Sequence, residues 1–231
     1  MTAPMLAARE RACLREFDKW VDVLGPEVEK ASGSIVAVRD HFRALLGRMP
    51  DPGWRAPTMR LFSISGAIYV AVYLALRDRG VDAAGAWAVC ESATRTRFTR
   101  MKGLERTAAS SGMFSAPMQW LTRSLERRSA EHPVGGWVAS YVRGARRGDY
   151  GVDYHRCAIR DLAVGAGAAE FAPYICNADA IGSELLGWGL TRTETIAQGG
   201  KRCDFRFERG GPTRVRLHVI SAGPEGRAHE P

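Results

Sequence analysis

Apolar residues recur with helical spacing through roughly the first 130 residues of the chain. The spacing predicts a first helix over 5–24, ended by the breaker pair Gly25-Pro26, and a second helix over 27–46. A loop over 50–57 follows, and further helices are predicted over 58–79, 82–101 and 116–130. The pattern therefore predicts a helical N-terminal half.

The most apolar run of the chain, LFSISGAIYVAVYLAL, covers 61–76. It is shorter than the roughly 20 residues needed to cross a bilayer, and Arg60 and Arg77 close it on both sides. The run therefore predicts a buried core helix and no membrane association.

Shorter, β-prone segments begin after His132-Pro133. Two strands around a turn are predicted over 136–142 and 151–159. A short helix over 161–166 comes next, and a longer one begins near Pro173, a residue suited to a first helical turn, and reaches Leu186. The remaining predicted elements are strands over 190–197 and 201–208 around the hairpin signal 198–200, and an edge strand over 215–220.

This order of elements predicts an α+β fold, in which a helical N-terminal half packs on a C-terminal antiparallel sheet crossed by one or two helices. The expected organisation is a helical subdomain over 1–133, an α+β subdomain carrying the site over 134–221, and a flexible tail over 222–231. We expect the two subdomains to form one cooperative unit.

Composition and charge indicate which partners and which cellular location to expect. The formal net charge is +8, but the basic residues are overwhelmingly arginine, and the basic runs 95–102 and 143–147 lack the interleaved aromatic residues of single-strand binders. Nucleic acid is therefore not an expected partner. Five irregularly spaced cysteines indicate a reducing compartment, and the N-terminus lacks the apolar core of a secretory signal, so a cytoplasmic location is expected.

Strand alternation assigns faces to several polar residues. His155 and Cys157 should share one face, and Cys203 should share the buried face of Phe205 and Phe207. If Leu190 points inward, Arg192 does so too and becomes a buried or cleft cation that needs an anion.

The helix after Pro173 is predicted to bring a thiol and a carboxylate together. Cys176, Asp179 and Ser183 are three and four residues apart, so they line one stripe. Glu170 precedes this helix and could be a catalytic acid or an interaction with the N-terminal amides.

Several of these residues also have a purely structural interpretation. A buried cysteine is usually a small hydrophobic residue, and for Cys203 the structural reading is favoured. The spacing of His155, Cys157, Cys176, Asp179 and Cys203 fits no short metal-binding motif, so no metal is predicted. The glycines of 164–169 lack the strand context of a dinucleotide fingerprint, so no cofactor is predicted.

The ordered set of these residues resembles the L-2-amino-thiazoline-4-carboxylic acid hydrolase family. The resemblance covers 134–209 and is carried by Cys157-Ala158, Glu170, Cys176-Asn177-x-Asp179, Arg192-Thr193-x-Thr195, Gly199-Gly200 and Cys203-Asp204-Phe205-Arg206-Phe207. The closing block is also similar to vinyl-reductase-type small-molecule-binding domains.

The resemblance implies an enzyme that opens a thiazoline ring to give a carbamoyl-cysteine. Such chemistry needs an anchor for the substrate carboxylate, a carboxylate beside the amidine and a nucleophile. The candidates are Arg192 as anchor, Asp179 or Glu170 as the carboxylate, and Cys176 or Cys157 as nucleophile. Thr195 would help to stabilise developing charge, and His155 and Cys203 would line the substrate.

Other readings of the same fold stay open. One is a tailoring enzyme of secondary metabolism that catalyses a different reaction. Another is a non-enzymatic small-molecule-binding or dimeric module. In each case the expected partner is a small molecule, and a homodimer is possible.

Overall fold

The computed structural model describes residues 3–53 and 55–218. Its helices are α1 (Ala3–Lys30), α2 (Ile35–Leu46), α3 (Pro57–Arg77), α4 (Ala83–Arg100), α5 (Gly103–Gly112), α6 (Ala116–Ser129), α7 (Ala158–Gly165), α8 (Ala172–Ile175) and α9 (Ala178–Leu186). Its strands are β1 (Val138–Arg143), β2 (Tyr150–Arg156), β3 (Leu190–Arg192), β4 (Cys203–Phe207) and β5 (Arg214–Val215). The predicted α+β fold is confirmed.

The first helix is longer than predicted. Gly25-Pro26 does not end it, and α1 runs on to Lys30 with Pro26 inside. Leu24 and Val28, on either side of the pair, are both fully buried. Burial of these residues in the core outweighs the local cost of a proline, which lacks the N–H of a helical hydrogen bond.

Helix α3 is the central core helix, as the apolar run predicts. It is long and apolar enough to cross a membrane, with a mean hydropathy of 1.7, but 78% of its most apolar window is buried inside the protein. It packs against α1, α2, α4 and α7, so most of its apolar surface is covered by protein.

The five strands form one sheet in the order β1-β2-β4-β3-β5. Neighbouring strands are antiparallel except β3 and β5, which run parallel. The predicted pairing around 198–200 is present, but β3 ends at Arg192, and a loop with a short 3₁₀ turn leads to β4. Positions 219 and 220 of the predicted edge strand and the expected tail over 222–231 lie outside the described residues.

The predicted single helix over 173–186 is two helices. Helix α8 ends at Ile175 and α9 begins at Ala178, so Cys176 and Asn177 form the junction between them. Helix α5 was not predicted, and its residues include none that is buried. An apolar stripe, the main signal for a helix in a sequence, is therefore absent there.

Close packing fixes α7 against α3. A Cβ atom on Gly66 of α3 would lie 2.6 Å from Ile159 Cγ2. Cys157 immediately precedes α7, at its N-cap position. The glycine therefore allows the approach that places Cys157 at the inner side of the sheet.

The hydrophobic residues form two clusters. One joins the N-terminal helices with α7, α8 and α9, and the other joins the inner face of the sheet with α6 and the start of α3. Tyr69 belongs to the first cluster and Tyr154 to the second. The candidate site lies where these clusters meet.

Candidate active site

An ion pair joins α9 to β3. Arg192 Nη1 donates a hydrogen bond to Asp179 Oδ2 at 2.6 Å, and Arg192 Nη2 donates to the carbonyl of Cys176 at 2.9 Å. The guanidinium also lies over the ring of Phe205, with 5.3 Å from Cζ to the ring centroid. The predicted inward arginine is confirmed, and a substrate carboxylate would have to compete with Asp179 to reach it.

Asp179 differs from its partner in exposure. Its side chain is 41% accessible, whereas that of Arg192 is 1% accessible. Burial nevertheless raises the pKa of Asp179, and Arg192 opposes that shift. The carboxylate therefore lies in a recess in one limited sense: solvent reaches it, although protein surrounds much of it.

Three thiols share this recess with Asp179. Cys157, Cys176 and Cys203 are close enough for the charges of all three to interact with that of Asp179. Burial raises the pKa of each thiol to about 12. We call this part of the protein, around Cys157, Cys176, Asp179 and Cys203, the Asp179 recess.

Thr195 also lies at the recess. It is 2% exposed, and its side chain is within hydrogen-bonding range of the Cys176 thiol. Its hydroxyl donates to Gln198 Oε1 at 2.9 Å and accepts from the Gln198 amide at 3.2 Å. These contacts fix Thr195 at the start of the 3₁₀ turn.

Asp204 holds the loop that carries Arg192 and Thr195. Its Oδ1 accepts hydrogen bonds from the Thr193 and Glu194 amides at 2.9 and 2.8 Å, and its Oδ2 accepts from the Thr193 hydroxyl at 2.6 Å. Partial burial acts to raise the pKa of Asp204, but these hydrogen bonds outweigh it and lower the pKa. Asp204 therefore stabilises the loop.

Glu170 is placed away from these groups. It lies in a short 3₁₀ turn, is exposed, and accepts a hydrogen bond from the Tyr73 hydroxyl. That hydrogen bond lowers the pKa of Glu170. The structure gives Glu170 a local partner and does not bring it to Asp179.

The predicted common face of His155 and Cys157 is wrong. His155 is exposed, and its Nε2 lies 2.9 Å from Ser140 Oγ on β1. The strand ends at Arg156, so strict alternation does not extend to Cys157, which turns inward ahead of α7. His155 is therefore outside the Asp179 recess.

Two tyrosines near Asp179 were missed by the sequence reasoning. Tyr69 of α3 and Tyr154 of β2 both interact with the charge of Asp179, and burial raises the pKa of both hydroxyls. The inward alternation of Tyr154 with Val152 could have indicated its position. Tyr69 lies within an apolar run that gave no sign of a site.

The described part of the chain holds no group of three or more His, Cys, Asp or Glu side chains arranged to bind a metal ion. Two surface depressions of about 150 and 210 Å³ are lined by other residues. The first includes Arg48 and Arg156, and the second includes Pro57 and Trp120. Neither includes the groups around Asp179.

Comparison with models of protein families identifies the family to which the chain belongs. The model of the L-2-amino-thiazoline-4-carboxylic acid hydrolase family matches residues 62–207, more than half of the sequence. The chain belongs to this family. No curated protein and no solved structure gives a significant match.

The family match reaches further than the residues that first suggested it. It begins within α3 and ends at the last residue of β4, so it includes α3 to α6 as well as the sheet residues. Helices α1 and α2, and the segment after β4, lie outside it.

Proposed function

We propose that this member of the L-2-amino-thiazoline-4-carboxylic acid hydrolase family is a cytoplasmic hydrolase that opens a small cyclic amidine in the Asp179 recess. The observation that carries the proposal is the solvent-reached carboxylate of Asp179, held on one oxygen by buried Arg192 and surrounded by three neutral thiols. All of these residues lie within the family match.

Asp179 is the general base of the proposed reaction. Arg192 occupies Oδ2, and Oδ1 accepts no hydrogen bond from the described residues. Burial raises the pKa of Asp179, which makes its ionised form a stronger base than an ordinary aspartate. Oδ1 is therefore the atom that takes a proton from water.

Arg192 acts as a positioning residue. It is engaged by Asp179, by the Cys176 carbonyl and by the ring of Phe205. Its charge favours the ionised form of Asp179 despite burial. This role replaces the expected role of Arg192 as the anchor of a substrate carboxylate.

Water is the favoured nucleophile, in place of Cys176 or Cys157. A thiol with a pKa of about 12 is a thiolate in only about one molecule in 10⁵ at neutral pH. The thiols instead form a soft, weakly polar wall that suits a sulfur-containing ring. To donate to charge that develops on the substrate, the Thr195 hydroxyl exchanges its hydrogen bond to Gln198 Oε1 for one to the substrate.

The proposed reaction adds one water to 2-amino-thiazoline-4-carboxylate. The water oxygen bonds to the amidine carbon as Asp179 takes a proton, and the bond from that carbon to the ring sulfur then breaks. The departing sulfur receives that proton, and the former ring nitrogen takes up the second hydrogen of the water as the new carbonyl forms, which gives a carbamoyl-cysteine with a free thiol. No oxidant or cofactor is consumed.

The test is turnover of 2-amino-thiazoline-4-carboxylate by the full chain in ¹⁸O-labelled water. The expected product carries a new thiol and one ¹⁸O atom in its carbamoyl group, and His155→Ala forms it at the wild-type rate because His155 lies outside the recess. Absence of thiol release by the folded wild-type protein contradicts the proposal and favours a binding module.

A further inference from the structure

The segment after β4 crosses the junction between α8 and α9. Asn177, at this junction, is 6% exposed. Its Nδ2 donates to the carbonyl of His218, and its Oδ1 accepts from the amide of His218, each at 2.9 Å. The side-chain amide thus pairs with a backbone residue as a neighbouring strand would.

Further contacts hold the same segment. The hydroxyls of Ser183 and Thr213 are 2.6 Å apart, and Ser183 Oγ also accepts from the Leu190 amide at 2.9 Å. The His218 ring meets the Tyr174 ring edge to face, with 4.6 Å between centroids. Residues 213–218, here called the C-terminal strap, are therefore attached at both ends.

The strap contacts both segments that carry the ion pair of the recess. Asn177 lies between Cys176 and Asp179 in the chain, and Val215 of the strap pairs with Arg192 in the parallel ladder of β3 and β5. The strap also lies beyond the family match, which ends at residue 207.

We propose that the C-terminal strap is part of the catalytic unit and that Asn177 is the positioning residue that couples it to Asp179 and Cys176. Loss of the coupling frees the α8–α9 junction and loosens the contact of Asp179 with Arg192. The predicted effect on turnover rests on the proposed function, whereas the coupling itself does not.

The composition of the chain makes the coupling directly measurable. Asn177 is the only asparagine in the sequence, so selective ¹⁵N-asparagine labelling gives a single asparagine side-chain amide signal in an NMR spectrum. We expect the Nδ2 protons to exchange with solvent at least about tenfold more slowly than those of an exposed amide. In Thr213→Val/His218→Ala, which retains Asn177, the exchange should accelerate.

A second experiment follows access to Cys176. Asn177→Asp removes the donor to the His218 carbonyl and places negative charge beside it. We expect alkylation of Cys176 by iodoacetamide, located by mass spectrometry, to become about tenfold faster, and kcat to fall more than KM changes. Gln119→Glu is the matched control, because Gln119 Nε2 also donates to a backbone carbonyl, that of Gly148, at 3.1 Å.

The outcomes separate the two proposals. An Asn177 amide that exchanges at the free rate in wild type, or a Cys176 alkylation rate unchanged in both Asn177→Asp and Thr213→Val, contradicts the coupling. Slow exchange and strap-dependent alkylation in a protein that does not open the thiazoline ring confirm the coupling and contradict the proposed function instead. Thr213→Val keeps the test decisive if Asn177→Asp does not fold.

Discussion

Arg192 and Asp179 form a 2.6 Å hydrogen-bonded ion pair in which only the carboxylate meets solvent. The guanidinium is enclosed by Asp179, the Cys176 carbonyl and Phe205. The two residues therefore have different roles. Arg192 is held in place by the protein, and Asp179 is the residue that a ligand can contact. Each prediction about activity below depends on this difference.

The first prediction concerns the charge of Asp179. Arg192→Met removes the cation that opposes the effect of burial, so the pKa of Asp179 rises further above its ordinary value. Activity needs the ionised carboxylate and is lost as the pH falls through this pKa. The acid limb of the kcat/KM profile should therefore move to higher pH in Arg192→Met.

The control for this shift is a second arginine–aspartate pair on the outer face of the sheet. Arg206 Nη1 donates to Asp153 Oδ1 at 2.7 Å. Arg206→Met should leave the acid limb in place. The charged and titratable groups that interact with the charge of Asp179 are Arg192, Cys157, Cys176, Cys203, Tyr69 and Tyr154. An unshifted limb in Arg192→Met would refute the assigned role of Arg192.

The second prediction separates water from a thiolate as nucleophile. Cys176→Ala and Cys157→Ala should each retain turnover to within about tenfold, because neutral thiols on the wall contribute packing and not a covalent bond. A thiolate nucleophile would instead make one of these variants lose activity by about 10³-fold or more. Steady-state rates and a search for a covalent adduct by intact-mass measurement distinguish the two.

The third prediction concerns the loop that Asp204 holds. Asp204→Ala should lower the free energy of unfolding by about 1–3 kcal/mol at neutral pH, since amide and hydroxyl donors of 193 and 194 lose their acceptor. The folded-state pKa of Asp204 is lowered, so its stabilisation is present above the unfolded-state pKa and is lost as the pH falls through the folded-state pKa. Urea denaturation at neutral and strongly acidic pH should show the difference from wild type shrinking towards acid. A difference that is constant with pH would argue against this role.

The fourth prediction tests the packing that positions Cys157. Gly66→Ala places a Cβ atom 2.6 Å from Ile159 Cγ2 and should destabilise the fold by about 1–3 kcal/mol through overpacking. Gly112→Ala is the matched control, because Gly112 is also helical, as the last residue of α5, and a Cβ atom there meets nothing within 4 Å. The control should be neutral or stabilising by about 0.5–1 kcal/mol. Equal thermal stability of the two variants would contradict the packing account.

The fold was predictable from sequence where periodicity is strong. The core helix α3, the helix α4 that begins near position 82 and the inward arginine of β3 follow from the spacing of apolar residues. The continuation of α1 through Pro26 was not predictable from local signals, because it depends on the burial of Val28 by the rest of the fold. The parallel pairing of β5 with β3 likewise depends on contacts between segments distant in the sequence.

The sequence indicated which residues form the candidate site better than it indicated how they are arranged. Cys157, Cys176, Asp179, Arg192 and Cys203 were named from sequence, and the structure brings them together. The directions of these side chains depend on two interruptions of regular structure, the helix break at Cys176-Asn177 and the end of β2 before Cys157. The prediction relied on regular spacing, which both interruptions remove. Tyr69 and Asn177 reach their positions only through tertiary packing.

The rate of ring opening in Asp179→Asn tests the central claim most directly, with Glu170→Gln as the matched control. The same change of acid to amide is made at a carboxylate in the Asp179 recess and at one bound to Tyr73 outside it. The account predicts that kcat falls about 10²- to 10⁴-fold in Asp179→Asn and stays near wild type in Glu170→Gln. Wild-type turnover in a folded Asp179→Asn protein, or a loss confined to Glu170→Gln, would contradict it.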